Sequence, residues 1–322
     1  MIVDLPNTTT AKISKALVRV REEGGAVALG RVLTLIISST QGHEEEAIAA
    51  ANDASREHPM RVIVVSTENP DEPRKSATAR VDAEIRVGGD AGASEVIVLR
   101  VYGEAASDPE TLVTGLLLPD APVVAWWPGA APEVPAESPL GRIANRRITD
   151  ASAQPDPQAA LQHIRSSYRP GDTDFAWTRL TMWRTQLAAV LDQPPYEPVI
   201  AIRVTGAADS PSTTLLAAWL HLQLTVPVEC DLTSGPHANG VYGVSLTRSG
   251  GVISLEREIP GIATLLQPDQ PVQDLSLPRR SLRDCLADEL RRLDPDDLYG
   301  EVITRGLPLL ETVVKIETGV IA

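Results

Sequence analysis

Arginine, tryptophan and aspartate crowd into one stretch of the chain, YRPGDTDFAWTRLTMWR at 168–184, which holds two of the five tryptophans and the only phenylalanine. A guanidinium grips carboxylate or phosphate through two parallel hydrogen bonds, and Trp and Arg are enriched where protein interfaces concentrate their energy. Trp177, Arg179 and Arg184 are therefore candidate anchors for a protein partner; the competing reading is a core helix with surface arginines. Asp172 and Asp174 supply the hard oxygens that suit a divalent cation. No third carboxylate completes such a site, so both are read as caps for the helix that follows. Arg146 and Arg147, in ANRRITDA at 144–151, stand beside a proline-rich connector. There they could hold an anion between two domains, or simply be solvated. Trp126 and Trp127 occupy consecutive strand-like positions facing opposite sides, so in a sheet covered on one face Trp127 or its neighbour is open to contact.

Other reactive constellations are missing from the sequence. His43, His58, His163, His221 and His237 are scattered, without the i,i+4 pairing or Cys neighbours of a metal site. There is no GxxxxGK[ST], no GxSxG and no GxGxxG opening a helix after a strand; Gly88, Gly89 and Gly92 fall between two strands and read as a hairpin connection. Cys230 and Cys285 have neither CxxC nor zinc-ligand spacing and read as inert buried thiols. The expectation is a chain with no catalytic residue, no metal and no cofactor.

A formal net charge of −14 repels nucleic acid and anionic membranes, so neither is an expected partner. The amino-terminal MIVDLPNTTT carries an acid and a proline where a signal peptide needs a basic start and an unbroken apolar run. The longest apolar stretch, 112–127, is broken by Gly115, Pro119, Asp120 and Pro122. It is shorter than the ~20 residues of a span. A cytoplasmic protein is expected.

The elements that must position the candidate residues follow from periodicity. Ile13, Ala16, Leu17 and Val20 mark one face of a helix over 11–23, stopped by Gly24 and Gly25. A strand at 31–39, an Ala-rich helix at 44–57 and a strand at 60–66 form a β-α-β unit, parallel if the strands are adjacent. Strands at 81–87 and 95–102 make a hairpin, a helix begins near Ser107-Asp108-Pro109, and 122–129 is a buried strand. PGAAPEVPAESP at 128–139 reads as an extended connector, with the domain boundary between it and about residue 160. Beyond it come a helix over 174–192, a strand at 198–205, a helix at 212–224, a strand at 226–232, a hairpin across 241–257 and a long terminal helix from Ser281, with a break and restart in LDPDDLYGE at 293–301. The helix over 174–192 places Ala176, Leu180, Trp183, Leu187 and Val190 on its core face. The fold class is thus α/β: two α/β domains with mixed sheets, 1–150 and 151–322, the second ending in the long helix. VIVLRVYGEAASDPET at 96–111 is echoed by VIAIRVTGAADSPSTT at 199–214, which fits an internal duplication or a chance match.

Three segments at this order and spacing, LLLPDAPVVAWWPG at 116–129, ANRRITDA at 144–151 and PGDTDFAWTRLTMWR at 170–184, resemble the glucose-6-phosphate dehydrogenase assembly (OpcA-type) family. The likeness runs over essentially the whole chain, and the last segment is the most specific. The resemblance implies a protein without catalysis of its own that binds glucose-6-phosphate dehydrogenase, at the head of the oxidative pentose phosphate pathway, and promotes its assembly or active state. Some relatives are linked to redox control through cysteines, but Cys230 and Cys285 match no such positions. A different class of function, a sugar-phosphate sensor or enzyme holding an anion at Arg146 and Arg147, is the alternative.

Overall fold

Apolar side chains at Ile13, Ala16, Leu17 and Val20 recur at helical spacing, and the chain answers with helix α1 (Thr10–Glu23), in which all four are buried. The computed structural model describes residues 1–23, 30–69, 78–88, 95–233 and 240–310. Gly24, Gly25, Gly89, Gly92 and His237 lie outside the described residues. Of the hairpin connection Gly88 is described, with φ at +72°, a conformation glycine adopts without steric cost.

A short strand β1 (Ile2–Leu5) precedes α1, and β2 (Leu33–Thr40), α2 (Glu45–Ala54) and β3 (Met60–Thr67) follow it. β2 and β3 pair in parallel, as the β-α-β reading requires. Next come the antiparallel hairpin of β4 (Arg80–Val87) and β5 (Glu95–Tyr102), then α3 (Pro109–Thr114), capped by the Asp108 side chain, and β6 (Val123–Trp126). The proline-rich stretch ends at a short helix, α4 (Pro139–Arg142), which leads to β7 (Arg146–Thr149). After α5 (Pro157–Ser167), β8 (Asp172–Asp174) completes an eight-stranded mixed sheet in the order β1-β4-β5-β3-β2-β6-β7-β8. Ile36, Ile63, Ile97 and Leu99 share a core with Ile13, Leu17 and Val113. The alternate positions Leu35, Ile37, Val62, Val64, Val96 and Val98 are equally buried, so the central strands are covered on both faces.

The segment expected as one helix over 174–192 is two, α6 (Phe175–Thr178) and α7 (Thr181–Leu191). Between them the Thr178 carbonyl accepts from the Thr181 hydroxyl at 2.9 Å and from Arg280 at 2.9 Å, side-chain donors that compete with the helical ladder. The second sheet runs through β9 (Ala201–Ala207), α8 (Pro211–Leu224), β10 (Val228–Thr233), β11 (Val241–Arg248), β12 (Gly251–Ile259), β13 (Gly261–Leu266) and β14 (Gln273–Leu277). Its six strands lie in the order β10-β9-β11-β12-β13-β14, with β9 and β10 parallel and the rest antiparallel. In place of a long helix from Ser281, α9 (Leu282–Leu290) ends before Pro295, and α10 (Asp297–Glu301) restarts under an Asp296 cap, where the acid-rich break was expected.

Packing divides the described chain into two compact units. Unit 1 comprises Met1–Asp150 with Gly171–Thr173 and Ser281–Pro295; unit 2 comprises Ala151–Pro170, Asp174–Arg280 and the chain from Asp296 on. Both are α/β with mixed sheets. The echo between 96–111 and 199–214 does not extend to topology. β5 lies between β3 and β4, and the strand after it, β6, pairs with β2; β9 pairs directly with the strand after it, β10. The matched glycines also differ: Gly103 sits at a φ of +58°, whereas Gly206 gives room for close approach, since a Cβ there would stand 2.2 Å from the Thr213 Oγ1.

Candidate functional site

In unit 2 the expected core face of 174–192 is buried throughout: Ala176, Leu180, Trp183, Leu187 and Val190 all join the main apolar cluster. Trp177, expected beside that stripe as a surface anchor, is 1% exposed. Its indole N–H donates to Asp296 Oδ2 at 2.9 Å, the Arg184 guanidinium lies 3.7 Å over its ring, and Tyr299 packs at 5.8 Å with Tyr168 edge-on beyond. The most distinctive segment of the sequence therefore builds a structural node that ties α6 and α7 to α10 and the end of α5. Asp174 does cap: Oδ1 accepts from the Ala176 N–H at 2.8 Å and Oδ2 from the Ala151 N–H at 2.9 Å.

The N-cap of α6 is Asp174, and Asp172 belongs to unit 1, where it is ion-paired with the Arg147 guanidinium, which also donates to the Ala144 carbonyl at 3.1 Å. Arg146 is paired inside the same unit: its Nε donates to Glu289 Oε2 at 2.9 Å and its Nη1 to the Asp294 carbonyl at 2.8 Å. Arg146 and Arg147 are 3% and 8% exposed. The reading of these two as an anion grip is corrected accordingly. A buried guanidinium needs a counter-charge, and α9 and the Gly171–Thr173 segment supply carboxylates that already occupy both forks. Trp127 is also inside, at 4% exposure with Trp126 at 0%, because the sheet is covered on both faces.

Unit 2 also holds a cavity of about 90 Å³ with a polar lining, which the sequence did not foreshadow. Arg179, Arg257, Arg279 and Arg280 line it, with Asp209 its one lining carboxylate. It sits where β9 runs into α8, a 14-residue helix whose N-cap Ser210 and first-turn Ser212 are also on its wall. Arg179 reaches the Ser152 hydroxyl at 3.4 Å and Arg280 the Thr178 carbonyl at 2.9 Å. Arg257 is half-buried, donates to the Val241 carbonyl at 2.9 Å and the Leu277 carbonyl at 3.3 Å, and lies 5.5 Å from the Trp183 ring. Burial and then the like charge of Arg279 push its pKa down from the ordinary guanidinium value. The sequence signal was the doublet in LPRRSLRD at 277–284, which no motif singled out.

The Cys230 thiol is not activated: burial, with the neighbouring Asp231 charge, pushes it up to about 11, and Cys285 is buried. Among the described residues no group of three or more His, Cys, Asp or Glu could hold a metal ion, and no helix is long and apolar enough to cross a membrane.

Two family models match the sequence, both describing a glucose-6-phosphate dehydrogenase subunit: the model of its N-terminal domain matches residues 51–166, and the model of its C-terminal domain matches residues 170–303. Among curated proteins none matches at a significant level. Of solved structures, an oxidoreductase from Sinorhizobium meliloti is similar at 10% identity and a TM-score of 0.51, covering 90% of this chain and 98% of that one. A 3-ketoreductase from Actinomadura kijaniata has 12% identity, a TM-score of 0.47 and coverage of 88% and 97%. At such identity the first of these speaks for the fold and for nothing chemical.

Proposed function

Because the chain belongs to the glucose-6-phosphate dehydrogenase assembly family, we propose that it is a non-catalytic partner that binds glucose-6-phosphate dehydrogenase and activates it, working in the cytoplasm on the oxidative pentose phosphate pathway. The observation that carries this reading is the pair of family matches, which together span most of the sequence. Activation requires that the chain bind one conformation or assembly state of the dehydrogenase more tightly than another; equal affinity for both would shift nothing.

Trp177, Trp127, Arg146 and Arg147 are buried within the fold, whereas Arg179 and Arg184 of the first set of anchors are partly exposed. A broader contact surface is open on the second sheet. One face of it meets α8 and the apolar cluster of unit 2. By register, Arg203, Val252, Ile262 and Leu266 fall on the other face, and the three apolar side chains there are 51%, 45% and 44% exposed. Apolar groups gathered on one uncovered sheet face, with the Arg203–Glu229 ion pair at its margin, have the make-up of a docking patch with a polar rim.

Initial rates of the dehydrogenase at varied glucose 6-phosphate, with and without the chain, test activation directly. Ile262→Asp with Leu266→Asp should leave the melting temperature unchanged while raising the concentration for half-maximal activation by about tenfold or more. Unchanged activation by that variant moves the contact off this sheet face. Neither co-migration nor any change in rate with the unaltered chain would overturn the activator reading.

A further inference from the structure

Register sets one residue from each strand of the second sheet in a row across its uncovered face: Asp231, Thr205, Gly243, Glu256, Thr264 and Asp274. Three of the six are carboxylates and none is a cation. In the neighbouring row Arg203 is ion-paired with Glu229 at 2.6 Å and reaches Asp231 at 3.7 Å, so that guanidinium is already shared between two acids. Asp274 accepts from the Thr264 hydroxyl at 3.1 Å, and among the described residues neither it nor Glu256 has a cationic partner. Two strand spacings, ~10 Å, separate Glu256 from Asp274, so each carboxylate adds to the field at the other.

Glu256 is exposed on the fourth of the six strands, its stem laid across Gly243, where a Cβ would stand 3.1 Å from the Glu256 Cγ. The exposed Ile262 and Leu266 stand on the adjacent strand, and Val252 lies farther along its own. These apolar side chains supply the area that docking buries, and the carboxylate in their midst loses its water in the same contact. A charge taken out of water is costly unless a counter-charge meets it. A second copy of the chain is a poor source: pairing this face with its like sets four carboxylates and one guanidinium against the same set. The face therefore fits a partner that brings lysine or arginine.

Taking the chain as a partner of the dehydrogenase, the reading on which this rests, we propose that the sheet face receives a basic, partly apolar patch of that enzyme, with a guanidinium or ammonium group seated on Glu256. The overall charge of −14 draws such a patch from beyond contact range, so encounter and contact both weaken as salt screens them.

The concentration of the full chain that gives half-maximal activation of the dehydrogenase, measured at low and at high salt, tests this. For the unaltered chain it should rise by about threefold or more with salt. At low salt Glu256→Lys should raise it by about tenfold and Glu256→Gln by less, each with an unchanged melting temperature because the position is exposed, and the Lys variant should flatten the salt response. Activation by the unaltered chain that is indifferent to salt and to Glu256→Lys overturns the proposal and leaves the activator reading standing. A chain that self-associates in sedimentation, and that Ile262→Asp with Leu266→Asp returns to monomer, gives the face to a second copy and overturns it too. If the unaltered chain neither binds nor activates the dehydrogenase, the activator reading itself falls and this proposal falls with it.

Discussion

Trp177 shows how far a residue's type can mislead about its role. Tryptophan beside two arginines reads as an interface anchor, yet this indole is buried, hydrogen-bonded to Asp296 and roofed by Arg184. Truncating a buried aromatic of this size costs about 3–5 kcal/mol, through lost burial and the cavity left behind. Removing the guanidinium above it costs about 1 kcal/mol, the worth of a partly desolvated cation–π pair. Trp177→Ala should therefore lower the midpoint of chemical unfolding severely and Arg184→Ala mildly. In a double-mutant cycle the two should be coupled rather than additive, because the second loss is empty once the ring is gone. Additive effects would mean that the stacked pair contributes nothing beyond its separate contacts.

At the scale of elements, β4, β5 and α2 are joined by a charge cluster whose effect depends on pH. Burial pushes the Glu84 carboxyl up, but hydrogen bonds from Arg86 and Arg100 outweigh it and hold the pKa below its ordinary 4.5. Glu45, hydrogen-bonded by Arg86, is lowered as well. Both groups have a folded pKa below the unfolded one, so they stabilise the native state above about pH 4.5, and that stabilisation is lost as pH falls through the folded values. Urea unfolding followed from about pH 6 down to about pH 3 should show stability falling with acidification, and Glu84→Gln should flatten that fall. An identical slope in the variant would remove Glu84 from the account. The same cluster shows what was legible at this scale. The hairpin and the β-α-β unit follow from apolar alternation and turn residues, whereas the bond from Arg86 across to Glu45, 41 residues away, carries no local signal.

For the whole molecule, the decisive fact is that unit 1 is not a continuous stretch of chain. It needs Gly171–Thr173 and Ser281–Pro295, which bring Asp172 to Arg147 and Glu289 to Arg146. A fragment ending at Asp150 keeps both arginines and loses both carboxylates. An uncompensated buried charge costs about 3–5 kcal/mol, a large share of the roughly 5–15 kcal/mol that holds a domain together. The fragment 1–150 should consequently melt without a cooperative transition by circular dichroism; a sharp melt close to that of the full chain would show those returning segments to be dispensable. What the sequence determined by itself was whatever rests on neighbours along the chain: the amphipathic stripe of α1, the Asp108 and Asp174 caps, the parallel β2–β3 pair, the α/β class of both halves, and the family, through segments long enough to be specific. Tertiary structure alone decided which polar residues face inward, since a guanidinium is equally at home in water or against a carboxylate. Choosing between the two takes a partner outside the local stretch, 143 residues away for Arg146 in Glu289 and 25 for Arg147 in Asp172. The convergence of Arg179, Arg257, Arg279 and Arg280 on one cavity is of the same kind: they come from separate stretches of the chain, and only folding brings them together.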